Sequence, residues 1–399
     1  MRRVLADCLL PLLCAVLLLA CLPGSSIFRA WWGEGPPAKG VKADDLRYMY
    51  TFGHTIFLER EFLRQPADSP TIYLMGSSEL TSGGPYVPYH FISDRFPVKL
   101  MGLGHEGNQC FSMYCQLLAQ SARLENAPVV IILSPGWFES KPARGTSSAV
   151  FLEYNSAHFM RRLLQASVQD EFKAYAYRGM ARFYHELNAP EAAYRIAFNR
   201  HRSSLSLYHR IWTAPVLKFN TFIDSIRERP AVYGQKIHQE AGGFKVPSLT
   251  CSIPWDSLAK VTGDRTRAGA TNNPMGIENG YYTRYIHGKK GKIQAVPERY
   301  NTELRDFRML VKLLRSKGAR ASFIVSPLNP YYFNRLDQLQ PAVDTIQAVL
   351  KQQQFPVLNL FTSDTTRYDK ALLSDVMHLS DYGWLRVNQF IVENYGLCR

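Results

Sequence analysis

Two neighbouring serines follow an apolar segment in the first quarter of the chain. The segment Thr71–Met75 ends at Gly76, and Ser77 and Ser78 come directly after it. A serine hydroxyl is a weak nucleophile and becomes reactive only when a neighbouring general base removes its proton. The pattern therefore predicts a nucleophilic serine at the end of a strand, and either hydroxyl could fill that role.

A candidate base and its orienting carboxylate lie near the C-terminus. Asp375 and His378 are three residues apart, so on a helical turn both side chains would face the same way. The carboxylate could then hold one ring nitrogen while the other takes the serine proton, as in a Ser-His-Asp triad, which needs no metal ion and no cofactor. The pair alone is a weak motif, since most such pairs are surface turns. A helix predicted around residues 384–392, capped by Ser380 or Asp381, strengthens it.

Five short apolar runs indicate a parallel sheet. They are continuous and not alternating, which is typical of strands buried on both faces. Apolar residues at helical spacing lie between several of them, so the sequence predicts an α/β fold with a central parallel sheet. The runs are Thr71–Met75, Val98–Leu103, Val129–Leu133, Ala321–Val325 and Pro356–Leu360.

The segments that follow these strands are expected to form one site. Ligands bind beyond the carboxyl ends of parallel strands, where residues 104–109, 134–138 and 326–330 would meet the two serines. The backbone N–H groups of Ser78 and Gly107 are predicted to form an oxyanion hole, although Gly104 and Gly107 could also mark an ordinary turn. The predicted substrate-binding residues are Asn108, Gln109, Trp137 and Asn329.

Nearly two hundred residues interrupt the alternation between the third and fourth runs. Helical spacing dominates residues 156–237, whereas residues 247–297 are rich in glycine, asparagine and tyrosine and predict long loops. We expect a large, mainly helical insertion over about residues 140–300 that shapes the site. Ser156–Lys245 carries 14 lysines and arginines against 7 aspartates and glutamates, half of the chain's net charge of +14. This surface is either an ordinary solvated one or one that attracts phospholipid or an anionic polymer.

The first 28 residues differ from the rest. Two arginines precede an apolar stretch from about Cys8 to Phe28, which predicts a membrane anchor or signal segment over residues 1–28. A single-pass membrane helix is preferred, and a lipidated Cys21 or a cleaved signal are the alternatives. The arginines favour a cytoplasmic N-terminus, so residues 29–399 would form an extracytoplasmic domain at the cell membrane, where nucleic acid is not an expected partner.

Four cysteines lie beyond the apolar stretch, too few for a scaffold built on disulfides. If Cys110 and Cys115 share a helix, their Cα atoms are about 8 Å apart, which is too far for a bridge. Any disulfide would therefore include Cys251 or Cys398.

Taken together, these segments resemble the SGNH/GDSL hydrolase superfamily and, within it, the DltD family of D-alanyl lipoteichoic acid synthesis. The resemblance implies a three-layer SGNH-like fold, and it selects Ser78 over Ser77 because the family's serine lies two positions after the glycine. The chain departs from the family at Glu106, Cys110 and Gly136, where glycine, serine and glutamine are usual, and it has no clear equivalent of the superfamily's conserved-block asparagine. The matching segments are Gly76–Leu80, Gly104–Cys110, Ser134–Phe138, Asn272–Ile277 with Tyr281 and Tyr282, and Asp375–His378.

The resemblance also implies a function. It suggests a serine acyltransferase or esterase that moves D-alanyl groups onto an anionic cell-envelope polymer, either teichoic acid or lipopolysaccharide. The implied partners are a membrane-bound O-acyltransferase and either a D-alanyl carrier protein or a small acyl-carrying membrane peptide. An O-acetyl transferase or esterase acting on an exopolysaccharide is the alternative reaction, and a catalytically idle scaffold is a third possibility that the intact Ser78, Asp375 and His378 disfavour.

Overall fold

The structure is a computed structural model of the 399-residue chain. The residues it describes are 48–51, 71–104, 106–140, 142–155, 163–164, 166–183 and 252–398. The predicted anchor over residues 1–28 lies outside them, as do Cys251 and most of the basic segment 156–245. Within the described ranges, no helix has both the length and the hydropathy that crossing a membrane requires.

A six-stranded sheet forms the centre of the protein, and all of its neighbouring strands run parallel. The predicted α/β fold with a central parallel sheet is therefore confirmed. The strands are β1 Tyr48–Thr51, β2 Thr71–Met75, β3 Lys99–Leu103, β4 Pro128–Leu133, β5 Gly291–Lys292, β6 Arg320–Val325, β7 Phe333–Asn334 and β8 Val357–Asn359. Their order in the central sheet is β1-β3-β2-β4-β6-β8, and β5 and β7 form a separate pair.

The edge strand β1 is the one strand of the central sheet that the apolar runs did not predict. Its sequence, Tyr-Met-Tyr-Thr, contains no aliphatic run. A strand at the edge of a sheet pairs on one side only, here with β3, and such a strand needs no continuous apolar sequence.

Helices cover both faces of the sheet. The α-helices are α1 Pro88–Phe91, α2 Cys110–Ala119, α3 Ser148–Tyr154, α4 Asp170–Ala181, α5 Trp255–Ala268, α6 Asn279–Tyr281, α7 Thr302–Ser316, α8 Gln340–Gln352 and α9 Asp381–Tyr395. Alternate residues of β2 and β4 point into two separate cores: Met75 and Ile131 pack with α2, α7 and α8, whereas Leu74 and Val130 pack with α1 and α9. Cys110 and Cys115 are buried, unbridged thiols of α2.

The prediction of loops throughout residues 247–297 is wrong for α5. Trp255, Leu258 and Ala259 recur at helical spacing and pack against the core beside α9. The glycine, asparagine and tyrosine residues that suggested loops are concentrated after residue 268, where the chain does form turns and short helices. Composition averaged over fifty residues therefore concealed one amphipathic helix.

The strand order marks the position of the site. From β2 the chain continues to β3 on one side, whereas from β4 it continues to β6 on the other. Ligands of open parallel sheets bind beside such a reversal, beyond the carboxyl ends of the strands. Met75 lies level with Leu103 and Ile131 on the two neighbouring strands, so the segments that follow β2, β3 and β4 leave the sheet side by side.

Candidate active site

The two serines that follow β2, Ser77 and Ser78, have different surroundings. The Gly76 N–H still donates to the Leu103 carbonyl at 3.1 Å, which extends the β2–β3 pairing by one residue. Ser77 follows and is only 3% exposed, whereas Ser78 is half-buried and begins a 3₁₀ helix over Ser78–Thr81. Successive side chains thus differ in access, and Ser78 is the one that solvent can reach.

Ser78, His378 and Asp375 form a continuous chain of hydrogen bonds. The His378 Nε2 lies 2.9 Å from the Ser78 Oγ, and the His378 Nδ1 lies 2.7 Å from the Asp375 Oδ2. The serine and the histidine are 300 residues apart in the chain, and the sheet brings them together. The geometry is that of a nucleophile, a base and a carboxylate that orients the base.

Asp375 and His378 lie in a tight turn, not on a helix. The Asp375 Oδ1 accepts the backbone N–H groups of Met377 at 2.8 Å and His378 at 2.7 Å, so one carboxylate orients both the backbone and the imidazole. Ser380 then caps α9, as predicted, by accepting the Gly383 N–H.

Two distant segments hold this turn in place. The Glu278 N–H donates to the Ser374 carbonyl at 2.9 Å, and the Asn329 N–H donates to the Val376 carbonyl at 3.0 Å. Residues from the insertion and from the loop after β6 therefore fix the turn that carries Asp375.

The pair has the electrostatics of a base and its anionic partner. The hydrogen bond to Asp375 raises the pKa of His378 above its ordinary value, although burial opposes this shift. Burial acts to raise the pKa of Asp375, but the hydrogen bonds from the His378 side chain and from two backbone N–H groups outweigh it and lower that pKa. The lowered pKa favours an ionised Asp375, and the raised pKa makes the His378 imidazole a stronger base than an ordinary histidine.

Gly107 contacts Ser77, the neighbour of Ser78, and its N–H therefore already has an acceptor. Its φ of +81° is in the left-handed region, which glycine tolerates best, and its N–H donates to the Ser77 Oγ at 3.0 Å. An oxyanion could bind this N–H only if the Ser77 hydroxyl gave it up. The predicted role of Gly107 in an oxyanion hole stays a prediction.

The predicted substrate-binding residues are all buried. Asn108 is fully buried and its Nδ2 donates to the Gly76 carbonyl at 3.0 Å, while Gln109 donates to the Pro142 carbonyl at 3.2 Å. Trp137 is 9% exposed and packs in the core. Asn329 is fully buried and bridges the Met275 carbonyl and the Tyr331 N–H.

The Nδ2 groups of the two asparagines bind main-chain carbonyls inside the protein. Their predicted roles in substrate binding stay predictions. Asn108 joins the segments after β2 and β3, and Asn329 joins the segments around residues 275 and 376.

Two side chains near the hydrogen-bonded chain were not predicted to belong to the site, although both lie in segments that match the family. Glu79, directly after Ser78, is buried. Tyr281 lies close enough to Asp375 for that carboxylate to add to burial in raising the pKa of the tyrosine. Its ring centroid lies 5.0 Å from that of the exposed Tyr285, and the two rings are tilted by 50° to each other.

Comparison with known proteins identifies the family. Residues 50–395 match the family model described as DltD protein. The chain belongs to the DltD family. The resemblance to the DltD family seen in short sequence segments is thereby confirmed.

Similar DltD family members come from three bacteria. The chain is 22% identical to Protein DltD of Bacillus subtilis (strain 168), over 85% of each chain. It is 22% identical to Protein DltD of Staphylococcus aureus (strain NCTC 8325 / PS 47), over 80% of each chain. It is 24% identical to Protein DltD of Lacticaseibacillus rhamnosus, over 79% of this chain and 75% of that protein.

Proposed function

We propose that this protein is an extracytoplasmic serine acyltransferase of the SGNH type that transfers D-alanyl groups to an anionic cell-envelope polymer, teichoic acid or lipopolysaccharide. The observation that supports this most strongly is the chain of contacts from Ser78 through His378 to Asp375 at the carboxyl end of β2. Membership of the DltD family supports D-alanyl as the transferred group and teichoic acid as an acceptor.

The first step forms an acyl enzyme. The Ser78 Oγ attacks the carbonyl carbon of a D-alanyl ester or thioester while the His378 Nε2 takes the hydroxyl proton. Asp375 stabilises the imidazolium through Nδ1. The tetrahedral intermediate collapses, the bond to the leaving group breaks, and His378 returns the proton to the departing oxygen or sulfur.

The second step transfers the acyl group. A polymer hydroxyl loses its proton to the His378 Nε2 and attacks the ester carbonyl on Ser78. The bond between the acyl carbon and the Ser78 Oγ breaks, and His378 returns the proton to that oxygen, which restores the serine. The Ser78 N–H is one proposed oxyanion donor, and Gly107 becomes the second when the Ser77 hydroxyl rotates away from its N–H. Each such donor typically contributes about 2.7 to 4 kcal/mol to the stability of the transition state.

The proposed partners are those of a D-alanylation system at the membrane. A membrane-bound O-acyltransferase would deliver the acyl group, which a D-alanyl carrier protein or a small acyl-carrying membrane peptide would bring to it. The predicted anchor over residues 1–28 would keep the catalytic domain next to this partner.

Intact mass spectrometry of the full-length protein after incubation with a D-alanyl thioester tests the proposal. We expect a mass gain of one D-alanyl group, mapped by peptide analysis to Ser78, and no gain in Ser78→Ala. A stable adduct from an acetyl donor with none from the D-alanyl donor would instead favour the O-acetyl transferase reaction. An adduct that persists in Ser78→Ala would contradict the assigned nucleophile.

A further inference from the structure

Glu79, a buried carboxylate, follows the proposed nucleophile Ser78 and has no role in the proposed acyl transfer. Glu79 is only 7% exposed, and its Oε1 accepts the Ser77 N–H at 2.7 Å. Within the described part of the chain, no lysine or arginine forms an ion pair with it. Burying a carboxylate without a cation costs folding free energy, so an apolar side chain at this position would destabilise the folded protein less.

The turn before Ser78 is shaped around this carboxylate. A Cβ atom added to Gly76 would lie 2.7 Å from the Glu79 Oε1 and 3.1 Å from the Leu80 side chain. Both contacts are closer than normal packing allows, so a residue with a side chain at position 76 would displace the carboxylate. Gly76 and Glu79 therefore depend on each other, and together they set the backbone from which Ser78 projects.

The charge of Glu79 also acts on His378. Three carboxylates contribute to the raised pKa of the imidazole, which burial opposes: Asp375 first, through its hydrogen bond, and then Glu79 and Glu106. Glu106 is exposed, so water and salt screen it, whereas Glu79 is buried and is screened much less. Burial raises the pKa of Glu79 itself, which the hydrogen bond from Ser77 and the charge of His378 oppose.

We propose, on the basis of the serine mechanism above, that Glu79 is a positioning residue for the Ser78 nucleophile. It fixes the main chain at Ser77 so that the next hydroxyl meets the imidazole, and its negative charge stabilises the imidazolium that forms when Ser78 attacks. A charge in a buried site interacts several times more strongly than one in water, so one such group changes the rate measurably.

Glu79→Gln separates the two parts of this role. Glutamine keeps an oxygen that can accept the Ser77 N–H, but it carries no charge. The measurement is the rate of labelling of the full-length protein by a fluorophosphonate, recorded against pH. We expect the plateau of the labelling rate to be about tenfold lower than in the wild type. The acid limb of the pH–rate profile should move to lower pH by about half a unit or more, because loss of the anion lowers the pKa of His378.

Two further variants complete the experiment. Glu303→Gln is the matched control, since Glu303 is also a buried glutamate that accepts a backbone N–H, that of Cys110 at 2.8 Å, but belongs to α7. Its acid limb should coincide with that of the wild type. Glu79→Asp keeps the charge and should retain the wild-type acid limb even where its rate is lower.

Each outcome decides for or against the role of Glu79. A folded Glu79→Gln protein whose rate falls without a shift of the acid limb would show a purely structural residue and overturn the proposal. If Glu79→Gln does not fold, a shifted acid limb in Glu79→Asp overturns it instead. Absence of labelling in the wild type would refute the serine mechanism itself, a failure distinct from that of Glu79.

Discussion

Replacing Gly104 by alanine should push the two turns of the site apart. The added Cβ would lie 2.4 Å from the Gly76 carbonyl oxygen, whereas real Cβ atoms essentially never approach other atoms closer than 3.0 Å. The segments after β2 and β3 must therefore separate by at least about 0.6 Å. Two hydrogen bonds cross the same gap, from Gly107 to Ser77 and from Asn108 to Gly76, each at 3.0 Å. The same displacement would lengthen both to about 3.6 Å, where such bonds are effectively lost.

The loss of stability caused by Gly104→Ala can be derived from these contacts. Overpacking of this kind typically costs about 1 to 3 kcal/mol, and each lost hydrogen bond adds about 0.5 to 1.5 kcal/mol. We therefore expect the free energy of unfolding of Gly104→Ala to fall by about 2 to 6 kcal/mol. The rate of fluorophosphonate labelling should fall as much as about 10²-fold, since an error of about 1 Å in placing reacting groups has that effect.

Gly83→Ala is the matched control, because a Cβ atom at Gly83 would meet nothing within 4 Å. Denaturant unfolding and labelling rates of the two purified full-length variants provide the comparison, and Gly83→Ala should differ from the wild type by at most about 0.5 kcal/mol. Equal stability and equal labelling rates for the two variants would refute the close approach of the Gly76 and Gly104 segments.

Three other predictions concern charge. Labelling of the wild type should require neutral His378 and therefore rise with a midpoint above about pH 6.5, since Asp375 raises the pKa of the base; a midpoint below 6 would contradict this. Asp375→Asn should lower the labelling rate about 10⁴-fold with little loss of fold by circular dichroism, and an unchanged rate would remove Asp375 from the site. Burial and the charge of Asp306 raise the pKa of Glu303 to about 8. The folded state then binds a proton that the unfolded state has lost, so the free energy of unfolding should fall as pH rises from about 4.5 to 8; Glu303→Gln should reduce that slope, and an identical slope would contradict it.

Ser78, His378 and Asp375 could be predicted from the sequence because each has a residue type suited to acyl transfer and each follows a recognisable strand or precedes a recognisable helix. A continuous apolar run that stops at glycine and serine indicates both a buried strand and the position where that strand ends. This signal is local and does not depend on the rest of the sequence. The Asp375–His378 spacing predicted a shared direction, and the structure achieves it by a turn in which Asp375 also binds backbone N–H groups. Ser78 was separated from Ser77 by family resemblance, and the burial of Ser77 now gives a physical reason.

The buried amides and carboxylate were not predictable in the same way. An asparagine at the end of a strand has the same chemistry whether it faces a substrate or the main chain. For Asn329 the difference depends on Met275 and Val376, each about fifty residues away along the chain. The acceptor of the Gly107 N–H likewise depends on the conformation of Ser77 in a different segment. Long-range contacts of this kind leave no periodic signal in a single sequence.

In the proposed mechanism Ser78, and not its neighbour Ser77, carries the acyl group. Fluorophosphonate labelling of Ser78→Ala and Ser77→Ala, read by gel fluorescence and by peptide mass spectrometry, compares two serines that differ by one position and by their access to His378. Labelling should disappear in Ser78→Ala and persist in Ser77→Ala at a modestly reduced rate, because only the Ser78 hydroxyl lies 2.9 Å from the imidazole. Labelling that survives in Ser78→Ala and disappears in Ser77→Ala would contradict the assignment, and labelling that both variants retain would contradict the covalent mechanism.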